Sequence, residues 1–155
     1  MTVIADVESG AWAATLASLA SDGYRLLDVL TAVDRGDTLE VVARVVATDP
    51  LASTTVRTSV AAVLPRLASI TGSHPAAAWH EREVAEQFGL DFDGHPDPRP
   101  LLHRLAPAQP PLRKSTPLIE RVATPWPAAA DAGADRRPRR PQLPPGVRPE
   151  WVTGP

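Results

Sequence analysis

A chain of 155 residues has room for one domain of ordinary size plus terminal extensions. Its net charge of -2 argues against a dedicated nucleic-acid or anionic-membrane binder, which needs a sustained positive field. With no cysteine it has no disulfide and cannot itself supply the thiolates an iron-sulfur cluster usually takes. No basic leader precedes an apolar run and no window is long and apolar enough to cross a membrane, so a soluble, non-exported protein is expected.

Trp12, Leu16 and Leu19 recur at i, i+4, i+7 and predict a short helix from about Gly10 to Ala20, with Gly23 placed to end it. Tyr24 to Val33 and Thr38 to Ala47 are rich in Leu and Val. The polar connector Asp34-Arg35-Gly36-Asp37 makes them a hairpin. In the second arm Leu39, Val41, Ala43, Val45 and Ala47 share the face expected to meet the core. The Arg-Gly-Asp of residues 35–37 is read as turn chemistry rather than as an adhesion motif. Thr54 to Leu64 reads as a third strand with Val56, Val60, Ala62 and Leu64 on one side, although its Ala-rich end also tolerates helix. A second helix is predicted from Ala76 to Phe88, with Pro75 ahead of it and Gly89 just past its end.

Proline then changes the character of the chain: three lie before Pro96 and fifteen from Pro96 onward. Helix and central strand therefore belong mainly to the first part. The expected division is a core at 1–97, an extended segment at 98–122 that keeps Leu101, Leu102, Leu105, Leu112 and Leu118, and a Pro/Arg-rich tail at 123–155. The tail has too few aliphatic side chains to offset its ordering entropy and is expected to be disordered when free. Trp126 and Trp151 stand out in it as residues for a partner to bury.

Winding the second helix places Ala77, Val84, Ala85 and Phe88 on one arc with Glu81 inside it. An ionised carboxylate buried without a partner is costly. Glu81 should meet a cation from another element or chain, or titrate upward. The reverse face holds Trp79, Arg82, Glu83 and Glu86, with Arg82 and Glu86 spaced to pair. Acid inward and indole outward is the pattern of a helix covered on both faces, between subunits. The alternative is a snorkelling glutamate beside a tryptophan that shields its own sheet.

Asp91-Phe92-Asp93-Gly94-His95-Pro96-Asp97 fails as a calcium loop because its twelfth position is Leu102, where a bidentate Glu is needed. His80, His95 and His103 show no zinc-ligand spacing. No dinucleotide fingerprint, phosphate loop, zinc-protease motif or nucleophile elbow occurs. The Arg136-Arg137-Pro138-Arg139-Arg140 run leaves open a free-standing module for RNA or another acidic partner, though Asp131 and Asp135 sit beside it.

The run Trp79-His80-Glu81-Arg82-Glu83-Val84-Ala85-Glu86-Gln87-Phe88-Gly89-Leu90, then Phe92 and Gly94-His95-Pro96-Asp97, resembles the signature of the NADH:quinone oxidoreductase 30 kDa subunit family. So do Pro111-Leu112-Arg113-Lys114 and Pro117-Leu118. The resemblance implies a two-layer α+β fold, two helices on a mixed sheet of about five strands, followed by the proline-rich tail. It implies a non-catalytic scaffold in the peripheral arm of a complex that passes electrons to quinone coupled to ion translocation, on the cytoplasmic side of the cell membrane. No cofactor or metal is implied in this chain. Iron-sulfur clusters, quinone and NADH, or a nickel-iron centre, would lie in partners: the large quinone-module or nickel-iron-type subunit and the small iron-sulfur subunit. The implied interface is Trp79, Glu81, Arg82, Glu83, Phe88, His95, Pro96, Asp97, Arg99, Leu112, Arg113, Lys114 and Leu118. Ser115 and Thr116 stand where the family usually has an acidic and an aromatic residue, and Pro110 where it has His. The Asp97-Pro98-Arg99-Pro100-Leu101-Leu102 stretch looks closer to versions attached to membrane-bound nickel-iron hydrogenases of the formate-hydrogenlyase type.

Overall fold

The computed structural model describes residues 2–103 and 109–117. Six strands and two helices follow in the order β1 (Thr2–Asp6), α1 (Trp12–Ser21), β2 (Leu26–Asp34), β3 (Thr38–Thr48), β4 (Leu51–Ala61), β5 (Arg66–Ala68), α2 (Ala77–Phe88) and β6 (Asp91–Asp93). One turn of 3₁₀ helix, Ser9–Ala11, leads into α1. The main sheet has the order β1-β4-β3-β2, with β1 parallel to β4 and the other pairs antiparallel. β5 and β6 form a separate parallel pair.

The apolar periodicity locates α1 correctly because Trp12 and Leu16 are fully buried and Leu19 packs against the same core. The chain leaves α1 through Gly23, whose φ of 98° is open to glycine without strain, and the Tyr24 N–H closes on the Leu19 carbonyl at 2.9 Å. β2 and β3 form the expected hairpin. Asp34 Oδ1 accepts the Gly36 N–H at 2.7 Å, and Gly36 turns the chain at φ 99°. Leu39, Val41, Ala43, Val45 and Ala47 are all buried, as strict alternation requires for a strand with one face against the helices.

Two expectations about the third strand need correction. The third strand is longer at its start, Leu51 rather than Thr54, because only Asp49 and Pro50 separate it from β3 and Thr48 pairs directly with Leu51. It ends at Ala61, so Leu64 does not join Val56, Val60 and Ala62 in the core. Leu64 adopts a left-handed φ of 49° just before Pro65 and is 87% exposed. The expected mixed sheet of about five strands takes the form of a four-stranded main sheet and the separate β5–β6 pair. β1, β5 and β6 carry no alternation long enough to read, since two of them are three residues long.

α1 and α2 pack on one face of the main sheet, and a single cluster of Trp12, Leu16, Leu30, Leu39, Val41, Val45, Val84 and Phe88 fills the layer between. The fold is α+β in two layers. The opposite sheet face carries Val29 and Val33, which are partly exposed, and the pairs Arg44–Asp28 and Arg57–Asp6. α2 ends at Gly89 in the left-handed region, φ 69°, with its N–H on the Ala85 carbonyl at 2.9 Å.

Candidate functional site

α2 presents three faces with three uses. Its inner face carries Ala77, Glu81, Val84 and Phe88, all buried, with Ala85 half-buried at the margin. Glu81 has no exposed surface, and neutral donors of its own chain satisfy it. The Ile70 N–H donates to Oε1 at 2.7 Å and the Ser69 hydroxyl to Oε2 at 2.7 Å. Burial pushes the Glu81 carboxyl above its ordinary value; the Ile70 N–H, the Ser69 hydroxyl and His95 pull the other way without cancelling it. Of the two outcomes expected for this residue, the upward titration holds and the strong cation partner does not. His95 Nε2 stands 3.9 Å from Oε2, but it faces the Ala78 carbonyl at 3.0 Å, while Nδ1 accepts the Asp97 N–H at 2.9 Å. The Asp97 N–H on Nδ1 and the Ala78 carbonyl facing Nε2 fix the orientation of the His95 ring. His95 thereby ties the turn after β6 to the start of α2.

The second face grips the proline-rich segment. Arg82 Nε donates to the Arg99 carbonyl at 2.7 Å, and its Nη2 donates to the Pro100 carbonyl at 2.8 Å. One turn later Glu86 Oε2 accepts the N–H groups of Leu101 at 2.7 Å and Leu102 at 2.8 Å, and its Oε1 accepts the His103 N–H and contacts the His103 ring. The i, i+4 pair expected between Arg82 and Glu86 is therefore replaced. Each side chain is committed to backbone that prolines have barred from a ladder. Burial pushes the Glu86 carboxyl up, but the Leu102, Leu101 and His103 N–H groups outweigh it and bring it down to about 2. Arg99 forks onto Asp97 at 2.7 Å through both Nε and Nη2 and holds that carboxyl far below the carboxylate range, helped by Arg82 at 3.7 Å.

A second stretch, 109–117, closes over the end of α2. The Leu112 N–H donates to the Gln87 carbonyl at 3.0 Å, and Pro110 sits where a Cβ on Gly89 would meet its Cγ at 2.7 Å. The Lys114 N–H reaches Asp34 Oδ2 at 2.8 Å, Arg113 Nε lies 3.7 Å from the same oxygen, and Arg113 Nη2 donates to the Ala62 carbonyl. The Gly36 and Lys114 N–H groups, with Arg113 and Lys114 adding charge, lower the Asp34 carboxyl against the effect of its burial. The hairpin turn at Asp34 is thus a docking point for Arg113-Lys114. The sequence marks the turn but not this role.

The third face is exposed. Trp79 is 66% accessible, and Arg82 lies over its ring at 5.8 Å from the centroid. Glu83, one turn on, is exposed and has no ion pair among the described residues. Pro96 and Leu112 are also exposed, whereas Phe88 is core. The sequence-named residues therefore gather on α2 and the two stretches that cover it. Leu118, Leu105, Trp126, Trp151 and the arginine run at 136–140 lie outside the described residues. Sequence reasoning missed Ser69 and Ile70, the ligands of Glu81, and His74, buried with Nε2 on the Tyr24 carbonyl at 2.9 Å. No local spacing points to any of these three. Among the described residues no group of three or more His, Cys, Asp or Glu is placed to hold a metal ion. No described helix is long and apolar enough to cross a membrane.

Comparison with known proteins gives a consistent result. The family model described as respiratory-chain NADH dehydrogenase, 30 Kd subunit, matches residues 5–122. The C-type NADH-quinone oxidoreductase subunit of Halorhodospira halophila is 46% identical over 59 residues, 38% of this chain and 24% of the relative. The C/D-type NADH-quinone oxidoreductase subunit of Methylococcus capsulatus is 36% identical over 104 residues, 61% of this chain and 18% of the relative. The matches thus span a quarter or less of these relatives' own length. A trypsin-resistant fragment of Nqo5 superposes with a TM-score of 0.58 at 25% identity, covering 62% of this chain and 82% of that one. A chain of the membrane-bound sulfane sulfur reductase, an archaeal respiratory membrane complex, superposes at 0.68 and 19% identity, covering 92% and 82%. At that identity the second likeness shows the fold alone.

Proposed function

Because the chain belongs to the respiratory-chain NADH dehydrogenase 30 Kd subunit family, as the match over residues 5–122 establishes, we propose that it serves as a scaffold subunit of a membrane-associated NADH:quinone oxidoreductase-type complex. In this reading it lies in the peripheral arm on the cytoplasmic side and supports electron transfer to quinone coupled to ion translocation. It carries no redox centre itself. The iron-sulfur clusters, quinone and NADH belong to partners, foremost a large quinone-module subunit and a small iron-sulfur subunit.

The observation that carries the reading is how the family-like residues are engaged. Glu81, Arg82, Glu86, Asp97 and Arg113 hold backbone and one another, so their charge serves shape rather than turnover. What they fix is a rigid outer surface made of α2 and the segments around 97–103 and 109–117. Such preorganised surfaces suit stable association, because little side-chain entropy is lost on contact. Trp79, Glu83, Pro96, Asp97, Arg99, Leu112 and Lys114 are the residues through which this surface would meet partners.

Affinity purification of the tagged chain from its native membranes, with mass spectrometry and iron-sulfur spectroscopy of the eluate, tests the proposal. Recovery with a large quinone-module subunit is the expected result. Recovery with a nickel-iron subunit would move the chain to a hydrogenase complex. A lone protein without iron would overturn the scaffold reading.

A further inference from the structure

The outer face of α2 has a composition that selects its occupant. Ala76, Trp79 and Glu83 are all exposed, and their spacing of three and then four residues puts them on one stripe. One face of the Trp79 ring is taken by Arg82, 5.8 Å from the centroid. That guanidinium does not wander: the Arg99 and Pro100 carbonyls hold it at 2.7 and 2.8 Å, and Asp97 balances its charge at 3.7 Å. The indole is therefore propped on the side Arg82 occupies, and 66% of the residue is open to solvent. An aromatic face attracts cations, and a carboxylate one helical turn away adds a formal charge of matching sign. Glu83 is that carboxylate, and among the described residues no cation neutralises it.

We propose that the exposed indole of Trp79, together with Glu83, seats an arginine projected by a neighbouring protein subunit. The proposal rests on the scaffold reading above and names the chemistry of one contact in it. A planar guanidinium is the group that can stack on the indole and turn its N–H edge to the Glu83 carboxylate. A purely apolar partner would leave Glu83 desolvated without a counter-charge, and an acidic one would be repelled by it. A propped indole beside an unpaired charge has the makeup of an interface hot spot, where truncation of one side chain costs much of the affinity.

The test uses the full chain in its membrane complex, with a photo-crosslinking amino acid in place of Ala76, beside but not within the seat. Irradiation followed by peptide mapping should give an adduct on a segment that contains an arginine. Trp79→Ala and Glu83→Arg should each lower the adduct yield by about tenfold, with the thermal melting of the isolated chain unchanged because both positions are exposed. Exchanging the mapped arginine for glutamate should restore the adduct to the Glu83→Arg chain. An adduct on an arginine-free segment, or one insensitive to both substitutions, overturns the proposal and leaves the scaffold reading standing. An intact complex that gives no adduct does the same. Failure to recover any complex overturns both.

Discussion

Replacing Glu81 separates charge from hydrogen bonding at the most deeply buried acid of α2. Glu81→Gln keeps a carbonyl oxygen for the Ile70 N–H, and its amide can donate to Ser69 Oγ once that hydroxyl rotates to accept, so both contacts persist. It should change stability by less than about 1 kcal/mol at neutral pH. Glu81→Ala leaves the Ile70 N–H facing a cavity, at about 1–3 kcal/mol for that unpaired donor, while Ser69 Oγ keeps Thr71 Oγ1 at 2.8 Å; with the cavity the total cost should be about 2–4 kcal/mol. The pH dependence has a definite sign. The folded carboxyl titrates above its ordinary value of 4.5, so the folded state binds more protons than the unfolded one between those two values. The contribution of Glu81 to stability is therefore greatest below about 4.5 and declines as pH rises through the folded value. Urea midpoints for the wild type and Glu81→Gln, measured from pH 4 to 8 at constant m-value, should diverge along that slope, because every other titrating group is common to both chains. Parallel profiles would refute the burial argument. A Gln variant as damaged as the Ala variant would show that the charge itself holds the 69–70 loop.

The other expectations concern the clamp and the backbone. Glu86→Ala frees three N–H groups at 101–103 and should raise amide exchange there by about tenfold or more without melting the core, which hydrogen-exchange mass spectrometry would resolve. The folded Glu86 carboxyl lies near 2 against an ordinary 4.5, so its grip is complete above 4.5 and is lost as pH falls toward 2. Acid should therefore release 101–103 in wild type but change nothing further in Glu86→Ala. Gly89→Ala meets both a φ of 69° and Pro110 at 2.7 Å and should cost about 2 kcal/mol or more, whereas Gly94→Ala, at φ 83° in open space, should cost about 1 kcal/mol. Equal losses in chemical denaturation would mean that Pro110 does not seat on Gly89. Leu64→Gly removes an exposed side chain from a left-handed φ of 49° and should raise the melting temperature by a degree or more; a loss would show that Leu64 packs usefully.

What the sequence made legible follows from the range over which its signals act. α1, the β2–β3 hairpin and α2 were readable because helical spacing, alternation and capping glycines are local. The five inward positions of β3 and the inward Glu81 came from periodicity alone. β1, β5 and β6 were not readable, because three to five residues hold too few alternations and their pairing partners are distant in sequence. At the site, sequence placed the right side chains on α2 but misread their partners. Helical spacing nominates Arg82 and Glu86 for each other, and nothing local says that a backbone 17 residues ahead will take both.

That last misreading has a cause that the sequence does contain. Between Pro96 and Pro100 every second residue is proline, so alternate positions offer a carbonyl and no N–H. From Leu101 to His103 three consecutive N–H groups return. A segment whose first half mostly accepts and whose second half must donate asks for a cation and then an anion about one helical turn apart. Arg82 and Glu86 supply them in that order: Arg82 takes the Arg99 and Pro100 carbonyls, and Glu86 takes the N–H groups that follow. Had the two side chains paired with each other on the helix surface, the pair would have contributed a few tenths of a kcal/mol. Directed to backbone instead, the same charges satisfy five polar groups that no strand or helix could serve. They also hold Arg82 still beneath Trp79, so one set of hydrogen bonds both fastens the segment and props the indole that faces outward.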